Sequence, residues 1–327
     1  MKKETNLFRI DEAYFNWKIL NFEFFKNFDS PHTRKCYERD IQAFFLFLYQ
    51  NKVEIKKPND IQRAFIVAYK SSLLEIDQAP KTICRKLSCI SSYFDFLMEK
   101  GLMDFNPCQG VRRPSQIVKN ETNDLSDEAV TRLFEVLFTV ENESIRLHRA
   151  IIFLLFSTGI RKSELINLKV KDYFQLGDLH WVIKIRAKGG KYLTKVVHPS
   201  AKEILDDYIN HTFNGDLLTK GDEFLFRPTK NPSQPQLLNK SLNPKTIDYI
   251  VKKYCKMAGI FDRISPHSAR ATYIGSALEA GVELWRVSQD VGHESIRTTE
   301  SYNKRRTKLE NSPVHSLGFF SGLKKSA

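Results

Sequence analysis

Apolar side chains recur at helical spacing through the first third of the chain. Tyr37, Ile41, Phe44 and Leu48 are separated by four, three and four residues, which places them on one face of a helix. A second set has the same period: Ile83, Leu87, Ile90, Phe94 and Leu97. Gly101 follows it, where a helix commonly ends. The segment between the two sets, IQRAFIVAYKSSLL, is also helical in pattern, so this region predicts a small all-helical domain.

The periodicity then stops. The stretch NPCQGVRRPSQIVKNETND has two prolines, a glycine and mixed polar residues without a period, which is typical of a linker. Helical spacing resumes after Ser126, which is suited to cap a helix whose first turn carries Asp127 and Glu128. A second helical domain is therefore expected beyond the linker.

One β segment interrupts this second domain. Trp181, Ile183 and Ile185 alternate along DLHWVIKIRA, a glycine pair forms a tight turn in AKGGK, and YLTKVVHP returns as the partner strand. Lys188 is thereby placed at or beside the hairpin tip. The chain is helical again after Pro199. The predicted fold is mainly α, with a small β-sheet or hairpin in the second domain.

Length and composition fit this division. The 327 residues favour two domains, and 42% hydrophobic with 27% charged residues is typical of a soluble globular protein. The longest apolar run, near Ile151–Phe156, is too short to span a bilayer, and the N-terminus lacks the apolar core of a signal peptide. We therefore expect a cytoplasmic protein without membrane contact. Five scattered cysteines predict reduced thiols and neither a disulfide framework nor a zinc site.

The charge indicates a partner. Lys and Arg number 51 against 38 Asp and Glu, giving +13 and a pI near 9.4. Such an excess points to a polyanion, most often nucleic acid, with a generic basic surface as the alternative. On the polar faces of the first domain, the candidate DNA contacts are Arg34, Lys35, Arg39, Lys81, Arg85 and Lys86. An ordinary solvated face accounts for these charges equally well.

Three short stretches carry candidate chemistry. In SPHSAR, His267 and Arg270 are neighbours on one face at a helix N-terminus, which suits an anion. In STGIRKSEL, Arg161 follows a glycine turn, and Glu164 is close enough to orient it. Near the end, HESIRTTESY separates a histidine from a tyrosine by nine residues. Each stretch alone is weak support for a site.

Together, and in this order, the stretches resemble the tyrosine site-specific recombinases, the phage integrase family that includes Xer-like and Cre-like types. STGIRKSELINL is similar to the first arginine box, SPHSAR to the H-x-x-R box, and VGHESIRTTESY to the closing box. The resemblance covers about residues 25 to 310. It implies a two-domain DNA clamp with the following parts: an N-terminal extension (1–24), a helical SAM-like core-binding domain (25–108), a linker (109–124), a catalytic domain (125–310) and a tail (311–327).

The resemblance also implies roles. Arg161 and Arg270 would bind the scissile phosphate, with Glu164 in support, and His293 would hydrogen-bond it. The remaining catalytic roles would fall to Lys188 as general acid, His267 in proton transfer and Tyr302 as nucleophile. Lys191, in the same turn, is the alternative lysine. The H-x-x-R box departs from the family at Ala269 and Ala271, which thins the packing but removes no catalytic group.

The implied partner is double-stranded DNA with paired inverted half-sites, bound by a dimer per site and a tetramer in the synapse, of this chain alone or with a related recombinase. No metal or other cofactor is implied. A type IB topoisomerase and a catalytically inactive DNA-binding protein of the same fold remain alternatives. The biological role and DNA target stay open. Two roles are open for the tail. It is either a disordered, solubilising end, or a segment that docks on a neighbouring protomer through four apolar residues: Leu317, Phe319, Phe320 and Leu323.

Overall fold

The chain folds as two compact units, Met1–Lys119 and Asn120–Ala327. The computed structural model describes residues 23–115, 123–187, 190–216, 218–230 and 234–302. The predicted hairpin lysine Lys188, most of the N-terminal extension and the whole tail after Tyr302 lie outside these ranges. Within the described ranges, no helix is long and apolar enough to cross a membrane.

Three long helices build the described part of the first unit. They are α1 (Pro31–Gln50), α2 (Arg63–Glu75) and α3 (Pro80–Glu99), with a 3₁₀ turn at Pro58–Asp60. Proline in the first turn suits the starts of α1 and α3, because its missing N–H would have no helical acceptor there. The two apolar sets predicted from periodicity face each other across the core, where Phe44 and Phe94 are buried with ring centroids 6.1 Å apart.

The core of the first unit begins before α1. Phe24 is buried, and its ring lies 5.1 Å from that of Tyr93 and 5.2 Å from that of Phe28. The last residue of the predicted N-terminal extension is thus part of this hydrophobic core.

A buried carboxylate lies between α1 and α3. The Asp40 side chain is fully buried, forms an ion pair with Arg85, and lies 3.4 Å from Nζ of Lys86. The periodicity of α1 placed Ile41 and Phe44 inside but gave no sign that Asp40 joins them. Two of the six predicted DNA-contacting cations therefore neutralise an internal charge, and only 13% of the Lys86 side chain is exposed.

The second unit is larger. Its helices are α4 (Asp127–Thr139), α5 (Ile145–Thr158), α6 (Lys162–Leu165), α7 (Pro199–Phe213), α8 (Pro244–Met257), α9 (Pro266–Glu279), α10 (Leu284–Val291) and α11 (Ile296–Glu300). Ser126 caps α4 through its hydroxyl, which accepts from the Ala129 N–H, as the sequence predicts. The central helix α5 is buried along almost its whole length, and most of the other helices of this unit pack around it.

A three-stranded antiparallel sheet lies against these helices in the order β1 (Tyr173–Leu176), β2 (His180–Arg186), β3 (Tyr192–Val196). The predicted hairpin is β2 and β3, with Ile183 opposite Lys195 and Ile185 opposite Leu193. Strand β1 was not predicted, because four residues are too few to show alternation. The fold class predicted from the sequence, mainly helical with a small β-sheet, is confirmed.

We expect Arg85→Met combined with Lys86→Met to destabilise the first unit by about 3–5 kcal/mol, because it strands the buried Asp40 carboxylate without a cation. Chemical denaturation followed by circular dichroism measures the change. The control is Lys35→Met combined with Lys81→Met, two exposed positions where substitutions typically stay within about 0.5 kcal/mol. Equal stability of the two double variants would contradict the assignment of Asp40 as a charge that these cations neutralise.

Candidate active site

Arg161 is held at the junction of two helices. Helix α5 ends at Gly159 in the left-handed conformation, and Arg161 precedes α6. The guanidinium donates to Oε1 of Glu164 at 2.8 Å and to the carbonyl of Gly292 at 3.2 Å. The backbone N–H of Arg161 donates to the other Glu164 oxygen at 2.8 Å. Glu164 thereby fixes both the backbone and the side chain of Arg161, which stays about one-third exposed.

Position 159 requires glycine for a steric reason as well as a conformational one. A Cβ atom at this position would lie 2.6 Å from Cδ1 of Tyr273, and the φ angle of 58° is one that other residues rarely adopt. Glycine therefore lets the end of α5 approach α9.

Arg270 is almost completely buried near the start of α9. Its guanidinium donates to the carbonyl of Gly159 at 2.7 Å and to that of Val291 at 2.5 Å. Burial, and next the charge of Arg161, lower the pKa of Arg270 to about 10, so it stays cationic at neutral pH. The described hydrogen bonds of Arg270 all go to neutral carbonyls, and Glu164 is the one carboxylate bonded to Arg161. The two guanidinium groups thus keep an excess of positive charge, which is well suited to bind an anion, because burying a charge is costly unless an opposite charge compensates it.

Tyr302 lies between two histidines. Its hydroxyl is 2.9 Å from Nε2 of His267, and its ring stacks on His293 with centroids 5.9 Å apart. Burial raises the pKa of Tyr302, while the charges of Arg270 and Arg161 oppose this effect. The phenol is therefore protonated at neutral pH, and Nε2 of His267, which accepts a proton when the neutral imidazole carries its own on Nδ1, already lies at hydrogen-bond distance.

His293 follows α10 after a second left-handed glycine, Gly292. Burial, and next the charges of Arg270 and Arg161, lower the pKa of His293 to about 4, so its imidazole is neutral at neutral pH. Its Nδ1 is 2.8 Å from the hydroxyl of the buried Thr299. When that hydroxyl donates, the imidazole proton resides on Nε2, which becomes a hydrogen-bond donor.

The structure thus brings together six of the seven candidate site residues of the second unit: Arg161, Glu164, His267, Arg270, His293 and Tyr302. The seventh, Lys188, lies outside the described residues, and the alternative Lys191 is exposed. The sequence motifs did not identify Thr299 as a partner of His293. Its position, six residues after His293 in a short polar helix, could have indicated this contact.

The six candidate DNA contacts of the first unit divide into two groups. Lys35, Arg39 and Lys81 are exposed on α1 and α3. The others have intramolecular partners, which are Asp40 for Arg85 and Lys86, and the carbonyl of Phe28, at 2.5 Å, for Arg34. Across both units, the described residues contain no group of three or more His, Cys, Asp or Glu side chains that could hold a metal ion.

The fold and the site define a class: a two-unit helical protein whose second unit combines an arginine pair with a histidine-bonded tyrosine. The model of the phage integrase family matches residues 123–308, and that of the phage integrase N-terminal SAM-like domain matches residues 26–101. The chain therefore belongs to the phage integrase family, which confirms the resemblance given by its motifs.

Relatives of similar length carry the name tyrosine recombinase. The chain is 30% identical to the tyrosine recombinase XerC of Thermodesulfovibrio yellowstonii, over 84% of this chain and 86% of the relative. It is 32% identical to a tyrosine recombinase of Pseudothermotoga lettingae, over 84% of this chain and 87% of the relative.

Solved structures share the fold. XerH recombinase bound to difH substrate in a post-cleavage complex matches with a TM-score of 0.70 and 16% identity, over 87% of this chain and 80% of that one. A lambda integrase tetramer bound to a Holliday junction matches with a TM-score of 0.63 and 17% identity, over 89% and 78%. At these identities the likeness establishes the fold of the chain.

Proposed function

We propose that this member of the tyrosine recombinases cuts DNA at a specific site, holds the 3′ phosphate as an ester of Tyr302, and rejoins it to another strand. The position of the Tyr302 hydroxyl carries the proposal. It lies 2.9 Å from Nε2 of His267, in the field of Arg161 and Arg270. A nucleophile, a proton acceptor and fixed positive charge are the components that phosphoryl transfer needs.

In the proposed reaction the Tyr302 oxygen bonds to the scissile phosphorus while the bond from phosphorus to the 5′ oxygen breaks. The phenolic proton passes to His267, and the departing 5′ oxygen takes a proton from Lys188. The products are a 3′-phosphotyrosine and a free 5′ hydroxyl. Rejoining reverses each transfer, with the 5′ hydroxyl of another strand as the nucleophile.

Positive charge is required at the non-bridging oxygens. Arg161 and Arg270 would donate to them, because guanidinium groups remain protonated and bind two oxygens at once. His293 would donate from Nε2. These donors are fixed before the substrate arrives, and such preorganised charge lowers the barrier without reorganisation during the reaction.

The covalent intermediate conserves the energy of the cut bond. A phenol has a pKa near 10, so a tyrosine oxygen leaves phosphorus more readily than a sugar alkoxide does. The 3′-phosphotyrosine can therefore be resealed by a 5′ hydroxyl without ATP.

For assembly, we propose that the chain binds inverted half-sites as a dimer, and that two such sites join in a tetramer, with copies of itself or a related recombinase. Exposed cations of the first unit, Lys35, Arg39 and Lys81, would contact one face of the duplex, and the second unit would contact the other face, forming a clamp. Strand exchange would then pass through a Holliday junction, and the proposed location of this reaction is the cytoplasm.

Tyr302→Phe should abolish a covalent protein–DNA adduct without weakening DNA binding, because only the phenolic oxygen is lost. The substrate is a site nicked just beyond the cleavage point, so that the short 5′-hydroxyl fragment diffuses away and the adduct accumulates. Denaturing electrophoresis detects the adduct, which should also form in EDTA. Tyr249→Phe, at an exposed tyrosine of α8, is the control. An adduct that persists in Tyr302→Phe would overturn the proposed function.

Lys188→Ala should slow cleavage of an ordinary substrate, and replacement of the leaving 5′ oxygen by sulfur should restore the rate, because a thiolate leaves without a proton. Lys191→Ala is the matched control in the same turn, and it should cleave both substrates at nearly the wild-type rate. If Lys191→Ala cleaves the ordinary substrate slowly and the sulfur substrate at the normal rate, while Lys188→Ala cleaves both at the wild-type rate, the general-acid role belongs to Lys191. The rates are measured in single-turnover adduct formation.

Deleting residues 312–327 should leave binding to one half-site intact but reduce cooperative binding to the paired site. The deleted segment carries Leu317, Phe319, Phe320 and Leu323, and burying such side chains on a neighbour stabilises by roughly 1.5–3 kcal/mol each before ordering costs. A full-length variant with serine at these four positions is the control for length. Unchanged cooperativity in gel shifts with both proteins would show that the tail does not dock.

A further inference from the structure

A buried polar network lies behind the two arginines, and the proposed reaction assigns it no role. Nζ of Lys195, on β3, donates to Oδ2 of Asp290, on α10, at 2.7 Å. The hydroxyl of Tyr273, on α9, donates to the same oxygen at 2.9 Å. Lys195 also lies 5.3 Å from the centre of the Tyr273 ring, and only 2% of its side chain is exposed, whereas 37% of the Asp290 side chain is exposed. Three separate elements therefore meet at one carboxylate.

Stability alone gives no reason for a lysine at this position. Lys195 is opposite Ile183 in the sheet and faces the interior, where β2 places apolar side chains. Replacing an ion pair that has a buried member by apolar residues of similar volume is often neutral or stabilising, because removing the charge from water is costly, and here the cost falls on the enclosed Lys195. The network is better explained by the way it fixes the end of α10 relative to β3 and α9.

The α10 end of the network adjoins the phosphate-binding residues directly. Asp290 is followed by Val291, whose carbonyl accepts from Arg270, and by Gly292, whose carbonyl accepts from Arg161. His293 comes next in the chain. A displacement of Asp290 would therefore displace both carbonyl acceptors and the histidine together.

The other two elements of the network, α9 and β3, also contact the residues that hold the arginines. Tyr273 packs on Gly159, where a Cβ atom would meet its ring at 2.6 Å, and the carbonyl of Gly159 accepts the remaining described hydrogen bond of Arg270. On β3, Leu193 packs on Gly292 so closely that a Cβ atom there would lie 2.4 Å from Cδ1 of Leu193. All three carbonyl groups that hold the arginines thus lie beside an element of the network.

We propose that Lys195 and Asp290 are a positioning pair that fixes the C-terminal end of α10 against β3 and α9, and thereby aims Arg161 and Arg270 at the scissile phosphate. The inference rests on the proposed role of these arginines. Among the described hydrogen bonds, neither side chain of the pair bonds to Tyr302, Arg161 or Arg270, so the pair would act through the backbone carbonyl groups of residues 291 and 292.

The competing role for Lys195 is proton donation to the leaving oxygen. Burial, and next the charge of Arg270, lower the pKa of this lysine, whereas Asp290 opposes the shift. Its ammonium group is enclosed and bonded to a carboxylate, which favours positioning. A sulfur leaving group separates the two roles, because it rescues a lost proton donor but not a misplaced arginine.

The test is the double variant Lys195→Met with Asp290→Leu, in the full chain. The matched control is Lys202→Met with Asp206→Leu, because Asp206 likewise accepts from a lysine, at 2.5 Å, and from a tyrosine, Tyr173, at 2.8 Å. None of these three residues bonds to an arginine of the site or to its carbonyl acceptors among the described contacts.

We expect the Lys195/Asp290 variant to melt no lower than the wild type and to bind site DNA equally well. Its single-turnover rate of adduct formation should fall roughly 10- to 100-fold, since displacement of reacting groups by about 1 Å costs up to about 10²-fold. The loss should be the same factor on oxygen and sulfur substrates. The control variant should cleave at the wild-type rate.

Three results would overturn the inference: wild-type cleavage by the Lys195/Asp290 variant, an equal loss in the control variant, or restoration by sulfur, which would make Lys195 a proton donor.

Should the double variant not fold, Tyr273→Phe is the second test, because it keeps the ring on Gly159 and removes only the hydroxyl. A loss of roughly fivefold is expected from one hydrogen bond, and wild-type cleavage would overturn the inference. Absence of a Tyr302 adduct in the wild type would instead overturn the proposed function.

Discussion

The second unit is organised around two guanidinium groups held by the carbonyl ends of helices. Helix α5 ends at Gly159 and α10 at Gly292, both in the left-handed conformation. The last carbonyls of a helix have no partner within it and carry partial negative charge. Here those carbonyls accept from Arg161 and Arg270. Two like charges can be placed side by side because the helix ends supply dipoles that stabilise both and Glu164 adds a carboxylate beside Arg161.

This arrangement sets the protonation of the neighbouring groups. The same positive field that adds to burial in lowering the pKa of His293 works against burial at Tyr302. One histidine is kept neutral and able to donate a single proton. The tyrosine keeps its proton, yet ionisation is less unfavourable than burial alone would make it. Under the proposed function, a phosphodiester would supply negative charge beyond that of Glu164, so binding of the substrate and organisation of the site would be coupled.

Much of this could be predicted from the sequence, for physical reasons. The periodicities around Phe44 and Phe94 gave the helices of the first unit, since a buried face imposes its spacing on the chain. The glycine–arginine and glycine–histidine pairs were recognisable because a left-handed helix end tolerates few other residues. Contacts between distant segments left no such local mark. The pairing of Asp40 with Arg85, and of Lys195 with Asp290, required the folded structure.

The contact between Lys195 and Asp290 is partly predictable from the sequence. YLTKVVHP was predicted as the strand that returns after the glycine turn. The two-residue period of a strand puts Leu193, Lys195 and Val197 on one face, where Lys195 and Val197 are buried and Leu193 is half-buried. A lysine on an inward face demands a carboxylate nearby. The sequence cannot say which one, because Asp290 is 95 residues further along the chain. A charged residue at an apolar register position is thus informative in its own right, because it marks where the fold requires a directional contact instead of simple burial. Here that contact lies next to the carbonyl groups that accept from Arg161 and Arg270.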